Sequence, residues 1–241
     1  MDVNKNSYTF MFAAVMVVIV AALLSYAATT LKPYQDKNVE MEKMQNILSS
    51  IAIETSREGA AELYPTYITE QLVINNNALI DGVDAFTIDM AKEIRKPISE
   101  RNAPLFIAEK EGSTYYIVPL RGVGLWGPIW GYIALEKDLS TIYGANFDHS
   151  KETPGLGAEI NTPSFYGQFK GKSILDESGN LIGIDVRKGD ASESNEVDGI
   201  SGGTITSDGV EIMIAENLQA YIPFLKEYVG QEAVSSDQPS N

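Results

Sequence analysis

From Asn6 to Leu31 the chain carries no charged residue, and the interior of that stretch, Phe10 to Leu24, is almost wholly apolar. About 20 such residues in a helix span the hydrocarbon core of a bilayer, so one transmembrane helix is predicted over 6–31, preceded by a short tail at 1–5. Ser25 and Ala27 imitate a signal-peptidase site. The apolar run is longer than an ordinary signal core, however, and the residues before it are barely positive, so the stretch reads as an uncleaved anchor. Charge does not orient it: Lys5 with Asp2 lies before the span, and Lys32, Lys37 and Lys43 follow it.

A chain of 241 residues, 44% of them hydrophobic, has enough material beyond the anchor for a domain with its own core. Acidic residues outnumber basic ones 33 to 18, and the resulting charge of −15 repels phosphate backbones, so no nucleic-acid partner is expected. The absence of cysteine excludes thiolate catalysis, iron–sulfur ligation and disulfides. A single histidine excludes a His-rich metal site, and the scattered carboxylates form no recognisable cation cage, so no metal ligands are assigned.

After Lys32-Pro33, residues 32–56 are read as an amphipathic helix or linker, with Met44, Ile47, Leu48 and Ile51 on one face. The domain proper is assigned to 57–230. It opens with a helix followed by strand or loop up to about residue 80, broken by the Asn75-Asn76-Asn77 turn signal. A hairpin is predicted from Leu105–Ala108 and Tyr115–Val118, with further strands at Gly131–Leu135 and Thr141–Asp148. A helix over 158–169 leads to a second hairpin, Lys172–Leu175 with Leu181–Val186, and then to an exposed loop over 189–197. From Asp208, with Glu211 completing a capping box, Ile214, Leu218, Tyr221, Ile222, Leu225 and Val229 recur at helical spacing. Residues 231–241 are polar and read as a disordered tail. The fold class expected is α+β: one N-terminal transmembrane helix, then an antiparallel sheet with flanking helices.

Chemistry concentrates in Asp198-Gly199-Ile200-Ser201-Gly202-Gly203-Thr204-Ile205-Thr206-Ser207. Glycines let backbone N–H groups approach an anion, and the helix that follows adds positive potential, although Asp198 and Asp208 offset part of it. The segment 199–203 satisfies G-x-S-x-G, but a serine hydrolase of that type needs a histidine after the serine and none follows Ser201. His149 has no local partner that would orient it as a general base. No Gly-Lys-Ser/Thr is present, which removes a P-loop. Two other stretches stand out. Arg121 to Trp130, a run of glycines and a proline that holds Gly124-Leu125-Trp126-Gly127 and two tryptophans, is either a slot in which a flat ring stacks on an indole or a bulged strand end with core aromatics. Glu152-Thr153-Pro154-Gly155-Leu156-Gly157 is expected to form a tight, exposed loop.

Asp198 to Thr204 resembles the flavinylation signature of the FMN-binding domain family, Asp-Gly-x-Ser/Thr-Gly-Ala-Thr, with Gly203 in the usual alanine position. With the other two motifs and the anchor, essentially the whole chain resembles the NqrC family, a component of the sodium-translocating NADH:quinone oxidoreductase; the RnfG component of the Rnf complex shares the domain. The resemblance implies FMN joined covalently to Thr204 through a phosphoester, attached by a flavin transferase that uses FAD and its own divalent metal, with Asp198 part of the signal that enzyme reads. It further implies that Leu125, Trp126, Glu152, Thr153, Leu156 and Gly157 flank the isoalloxazine ring. Ser201 and Thr206, with Lys188 as a lesser candidate, would lie near the ribityl-phosphate, and Gly202 and Gly203 would be further cofactor-binding residues of the loop. The chain would then relay electrons among the other subunits of a bacterial inner-membrane complex from the periplasmic side, without a catalytic residue of its own. The competing reading is an anchored binding or scaffold module that carries no cofactor.

Overall fold

The computed structural model describes residues 6–228. The expected tails at 1–5 and 231–241, and Val229, lie outside them. The chain divides into two compact units between Lys43 and Met44.

Helix α1 (Asn6–Ser50) makes up the first unit and ends inside the second. Its most apolar window has a mean hydropathy of 2.5 and is wholly exposed, so the helix is long and apolar enough to cross a membrane. The expected break at Lys32-Pro33 is absent: the segment read as a separate amphipathic helix is the continuation of α1. A proline removes one helix hydrogen bond, and the surrounding turns hold here. Thr29 and Thr30 donate back to the carbonyls of Ser25 and Tyr26 at 2.8 Å, and Lys32 pairs with Asp36 at 3.1 Å across the proline.

The second unit is built on a six-stranded antiparallel sheet in the order β2-β1-β3-β4-β5-β6. Its strands are β1 (Ile68–Asn75), β2 (Ala78–Leu79), β3 (Ala103–Lys110), β4 (Ser113–Val123), β5 (Pro128–Leu135) and β6 (Ile142–His149). Helix α2 (Arg57–Tyr67) precedes β1 and is capped by Ser56, whose hydroxyl accepts from the Gly59 amide at 3.1 Å. The predicted first hairpin is β3–β4, with Phe106 opposite Ile117, and the other two predicted strands are β5 and β6. Between β2 and β3 the chain makes an excursion that includes the single turn α3 (Met90–Glu93).

Side chains of the central strands alternate between two cores, which is why the strands read as nearly continuous apolar runs. Leu105, Ile107, Tyr116, Val118 and Leu120 face one cluster; Phe106, Ala108, Tyr115 and Ile117 face the other. The end of α1, through Ile47 and Leu48, and Ile51 in the turn after it pack with α2 into the second cluster. The Asn146 amide donates to the Asn46 carbonyl beside it.

Several expectations fail in the rest of the domain. In place of a helix over 158–169 there are two 3₁₀ turns, at Gly157–Asn161 and Gly167–Phe169, flanking α4 (Pro163–Tyr166). Pro163 cannot continue a preceding helix and holds Thr162 extended at ψ 148°. The second hairpin shrinks to a single Leu175–Leu181 bridge. The chain then runs as β7 (Asp185–Arg187), which pairs in parallel with β8 (Glu196–Asp198), a strand that starts in the last two residues of the expected loop. Burial of Val186 and Val197 drives that pairing. Helix α5 (Thr204–Leu218) begins four residues before Asp208, with Gly203 as N-cap, so no capping box forms. Glu211 instead accepts from the Val186 amide at 2.9 Å. The apolar repeat beyond Leu218 belongs to a second helical segment, residues 222–228, after a turn at 219–221. Helix α5 lies against β4, where Asn217 donates to the Arg121 carbonyl at 2.9 Å.

Leu48 is fully buried in the second core. Leu48→Ala is expected to destabilise the domain by about 2–5 kcal/mol, measured by chemical denaturation of the detergent-solubilised chain through tryptophan fluorescence. An unchanged midpoint would show that the end of α1 is not part of this core.

Candidate functional site

Three segments far apart in sequence converge on one buried carboxylate. Glu152, 5% exposed, accepts the Trp126 amide on Oε1 at 2.8 Å and the Thr206 hydroxyl on Oε2 at 2.6 Å. The Leu125 amide also reaches Thr206 Oγ1 at 3.4 Å. Backbone must pass close by for this to happen. A Cβ on Gly124 would lie 2.7 Å from Glu152 Oε1, and one on Gly157 2.5 Å from Thr206 Oγ1, so a side chain at either position displaces the carboxylate or its partner.

Each segment is presented by ordinary secondary structure. Gly124 to Gly127 is the tip of the β4–β5 hairpin, closed by the Gly124 amide donating to the Gly127 carbonyl at 2.8 Å. The β4–β5 pairing has no bulge, Trp126 is 63% exposed and Leu125 is also exposed, whereas Trp130 on β5 is half-buried. The loop after β6 is exposed from Thr153 to Leu156, as expected, with Gly155 at φ +76°. Its two ends, Glu152 and Gly157, are buried, contrary to the expectation of a wholly exposed loop. The glycine loop hands the chain to α5, whose N-terminus has no side-chain cap and so leaves first-turn amides for a ligand.

Two cavities meet at Thr204 and Gly202, which line both. The smaller, about 210 Å³, is walled by Leu125, Trp126, Glu152, Thr153, Leu156, Gly157, Gly203 and Thr206. The structure therefore gathers every residue assigned to the ring side, and places Thr206 there rather than with Ser201 and Lys188. The larger, about 360 Å³, holds Ser201 and Lys188 together with Arg187 and Ser207. Arg187 is engaged with Asp185 at 3.3 Å and Glu196 at 3.6 Å, whereas Lys188 forms no ion pair among the described residues. The amides of Ser192 and Glu193, and more weakly Arg187, hold the Glu196 carboxyl below the usual carboxylate range.

The hydroxyls sort by access. Thr206 and Ser207 are buried, the first bonded to Glu152 and the second accepting the Ile200 amide at 3.0 Å. Ser201 is exposed and Thr204 half-buried at the first position of α5. Asp198 lines neither cavity; its carboxylate accepts the Ala191 amide at 3.0 Å and its backbone pairs with Gln168. His149 lines neither, and its Nδ1 is buried without a partner among the described residues. At Gly203 a methyl would sit 3.0 Å from Ile200 Cγ2, so the glycine relieves a tight contact. Sequence reading missed Ile205, an exposed wall of the smaller cavity, because it started α5 at Asp208.

A hairpin tip, a buried carboxylate and a glycine loop opening a helix, around joined cavities, define a cofactor-binding domain, and residues 124–219 match the FMN-binding domain family. The chain is 32% identical over 209 residues to the NqrC component of the Na(+)-translocating NADH-quinone reductase of Vibrio vulnificus, covering 78% of this chain and 81% of that protein. The same component from Pseudomonas aeruginosa is 29% identical over 237 residues, covering 88% and 90%. The crystal structure of the NqrC component from Parabacteroides distasonis superposes with a TM-score of 0.75 at 43% identity, covering 81% of this chain and 96% of that one. The chain belongs to the NqrC family of Na(+)-translocating NADH-quinone reductase components.

Removing the buried acceptor leaves an amide and a hydroxyl unpaired. Glu152→Ala is expected to lower the unfolding free energy by about 1–3 kcal/mol. In a double-mutant cycle with Thr206→Val the two losses should fall short of additivity by at least about 0.5 kcal/mol, and strict additivity would show that the pair is not coupled.

Proposed function

We propose that this chain is an electron-carrying subunit of a Na(+)-translocating NADH-quinone reductase, with FMN linked by a phosphoester to Thr204. The observation that carries the reading is the position of Thr204: an accessible hydroxyl at the start of α5 that lines both cavities. Of its neighbours, Thr206 and Ser207 are buried and already hydrogen-bonded. Ser201 is accessible but lies outside the smaller cavity.

The residues fit the cofactor. Apolar walls from Leu125, Trp126, Leu156 and Ile205 suit a flat ring, and the uncapped N-terminus of α5 suits a phosphodiester. Gly202, at φ +76°, lets the loop pass Leu156, whose Cδ2 lies 2.7 Å from where a Cβ would be. Lys188 offers a cation to the same phosphate from the larger cavity. Once bound, the flavin supplies the redox chemistry, and the protein supplies position and electrostatics.

A threonine hydroxyl is a weak nucleophile without a base, and no side chain here acts as one for Thr204. Attachment therefore requires a flavin transferase. The Thr204 oxygen forms a bond to the FMN-side phosphorus of FAD, the pyrophosphate bond breaks, AMP leaves, and the hydroxyl proton is released. Asp198, by tying the glycine loop to Ala191, shapes the segment that the transferase reads.

Intact-mass analysis of the chain co-expressed with a flavin transferase is expected to show one FMN adduct that is absent from Thr204→Val. An adduct that persists in this variant, or none on the wild type, would overturn the assignment.

Helix α1 anchors the chain in the bacterial inner membrane, and we assign the globular unit to the periplasmic side on the family resemblance. Protease added to spheroplasts should then remove the globular unit, while protection until the membrane is permeabilised would reverse the assignment.

A further inference from the structure

Glu152 does more than the packing demands. A glutamine could accept the Trp126 amide and donate to Thr206, so the two hydrogen bonds do not require a charge. Burying an unpaired charge is unfavourable, and among the described residues Glu152 forms no ion pair; both donors that reach it are neutral. That charge sits in the wall of the smaller cavity, which Trp126 and Leu156 also line. Partial positive potential comes from the N-terminus of α5, whose first turn carries Thr204 and Thr206.

Resting on the FMN reading above, we propose that the Glu152 carboxylate is a positioning residue that also sets the reduction potential of the flavin, holding it below the value the same cavity would give without the charge. Reduction adds electron density to the ring. A fixed negative charge in a low-dielectric wall raises the energy of that added density, which lowers the midpoint potential. Thr206 modulates the effect: by donating to Oε2 it draws off part of the negative charge, so losing its hydroxyl should strengthen the field and not weaken it. The exposed loop from Thr153 to Leu156 and the exposed Trp126 leave the cavity rim open to a partner, so the potential is tuned at a place where electrons are exchanged by contact.

The test uses the full-length chain, co-expressed with a flavin transferase, solubilised in detergent and checked for the Thr204 adduct by intact mass. Its midpoint potential is read from flavin absorbance in a spectroelectrochemical titration. Glu152→Gln, and Glu152→Met as a second uncharged replacement, are expected to shift the midpoint upward. Thr206→Val, which loosens the same contact but keeps the charge, is expected to leave it unchanged or move it downward. A wild-type midpoint in the loaded Gln or Met chain overturns the proposal, as does an equal upward shift in Thr206→Val. It also fails if neither Glu152 variant carries the adduct while Thr206→Val does, since the carboxylate would then serve attachment or folding alone. A wild-type chain with no adduct would instead overturn the FMN reading itself.

Discussion

The Glu152 carboxylate is the interaction on which the rest of the site depends. It joins the β4–β5 hairpin tip to the first turn of α5, two elements that share no local sequence, and it does so from the end of β6. The bonds are short and the surroundings buried, where an unpaired donor is expensive, so all three segments are fixed together or not at all. Gly124 and Gly157 make room for this carboxylate and Gly202 makes room for Leu156, which explains why glycine clusters in three separated motifs.

The sheet makes that convergence possible. Two apolar faces commit every central strand to one register, because a one-residue slip would exchange the two cores. With register fixed, the β4–β5 tip and the end of β6 arrive at the same end of the sheet, where Ile129 pairs with His149. Packing α5 on β4 then delivers its N-terminus to the same place. The β7–β8 pair supports the glycine loop from behind, with Glu211 of α5 accepting the Val186 amide and Asp198 holding the preceding loop.

Elements with strong local signals were legible in the sequence. The uncharged apolar stretch, the β3–β4 hairpin and the strands β5 and β6 appear where periodicity and turn residues place them. Elements whose boundaries depend on tertiary partners were not. Asp208 and Glu211 have the spacing of a capping box, yet Glu211 is drawn to Val186 and the helix begins at Thr204. Pro33 carries a strong stop signal, yet α1 continues because its neighbouring turns keep their bonds. Residues 158–169 read as helix by composition, yet Pro163 divides them. The predicted strand at 181–186 overlaps β7, but its parallel pairing with β8 had no local signal, because it buries Val186 and Val197, which no local turn signal brings together.

The sequence by itself determined the long apolar helix, the α+β class, the exclusion of thiol and P-loop chemistry, and, by resemblance, the glycine loop around Thr204 as the candidate cofactor segment. These rest on composition and contiguous motifs, which do not change on folding. Only the tertiary structure decided which hydroxyls are accessible, that Thr206 lines the smaller cavity together with Glu152, and that a carboxylate with neutral partners lies in the wall of that cavity. Those facts depend on burial and on contacts between residues 54 and 81 positions apart, and nothing in a linear pattern fixes them.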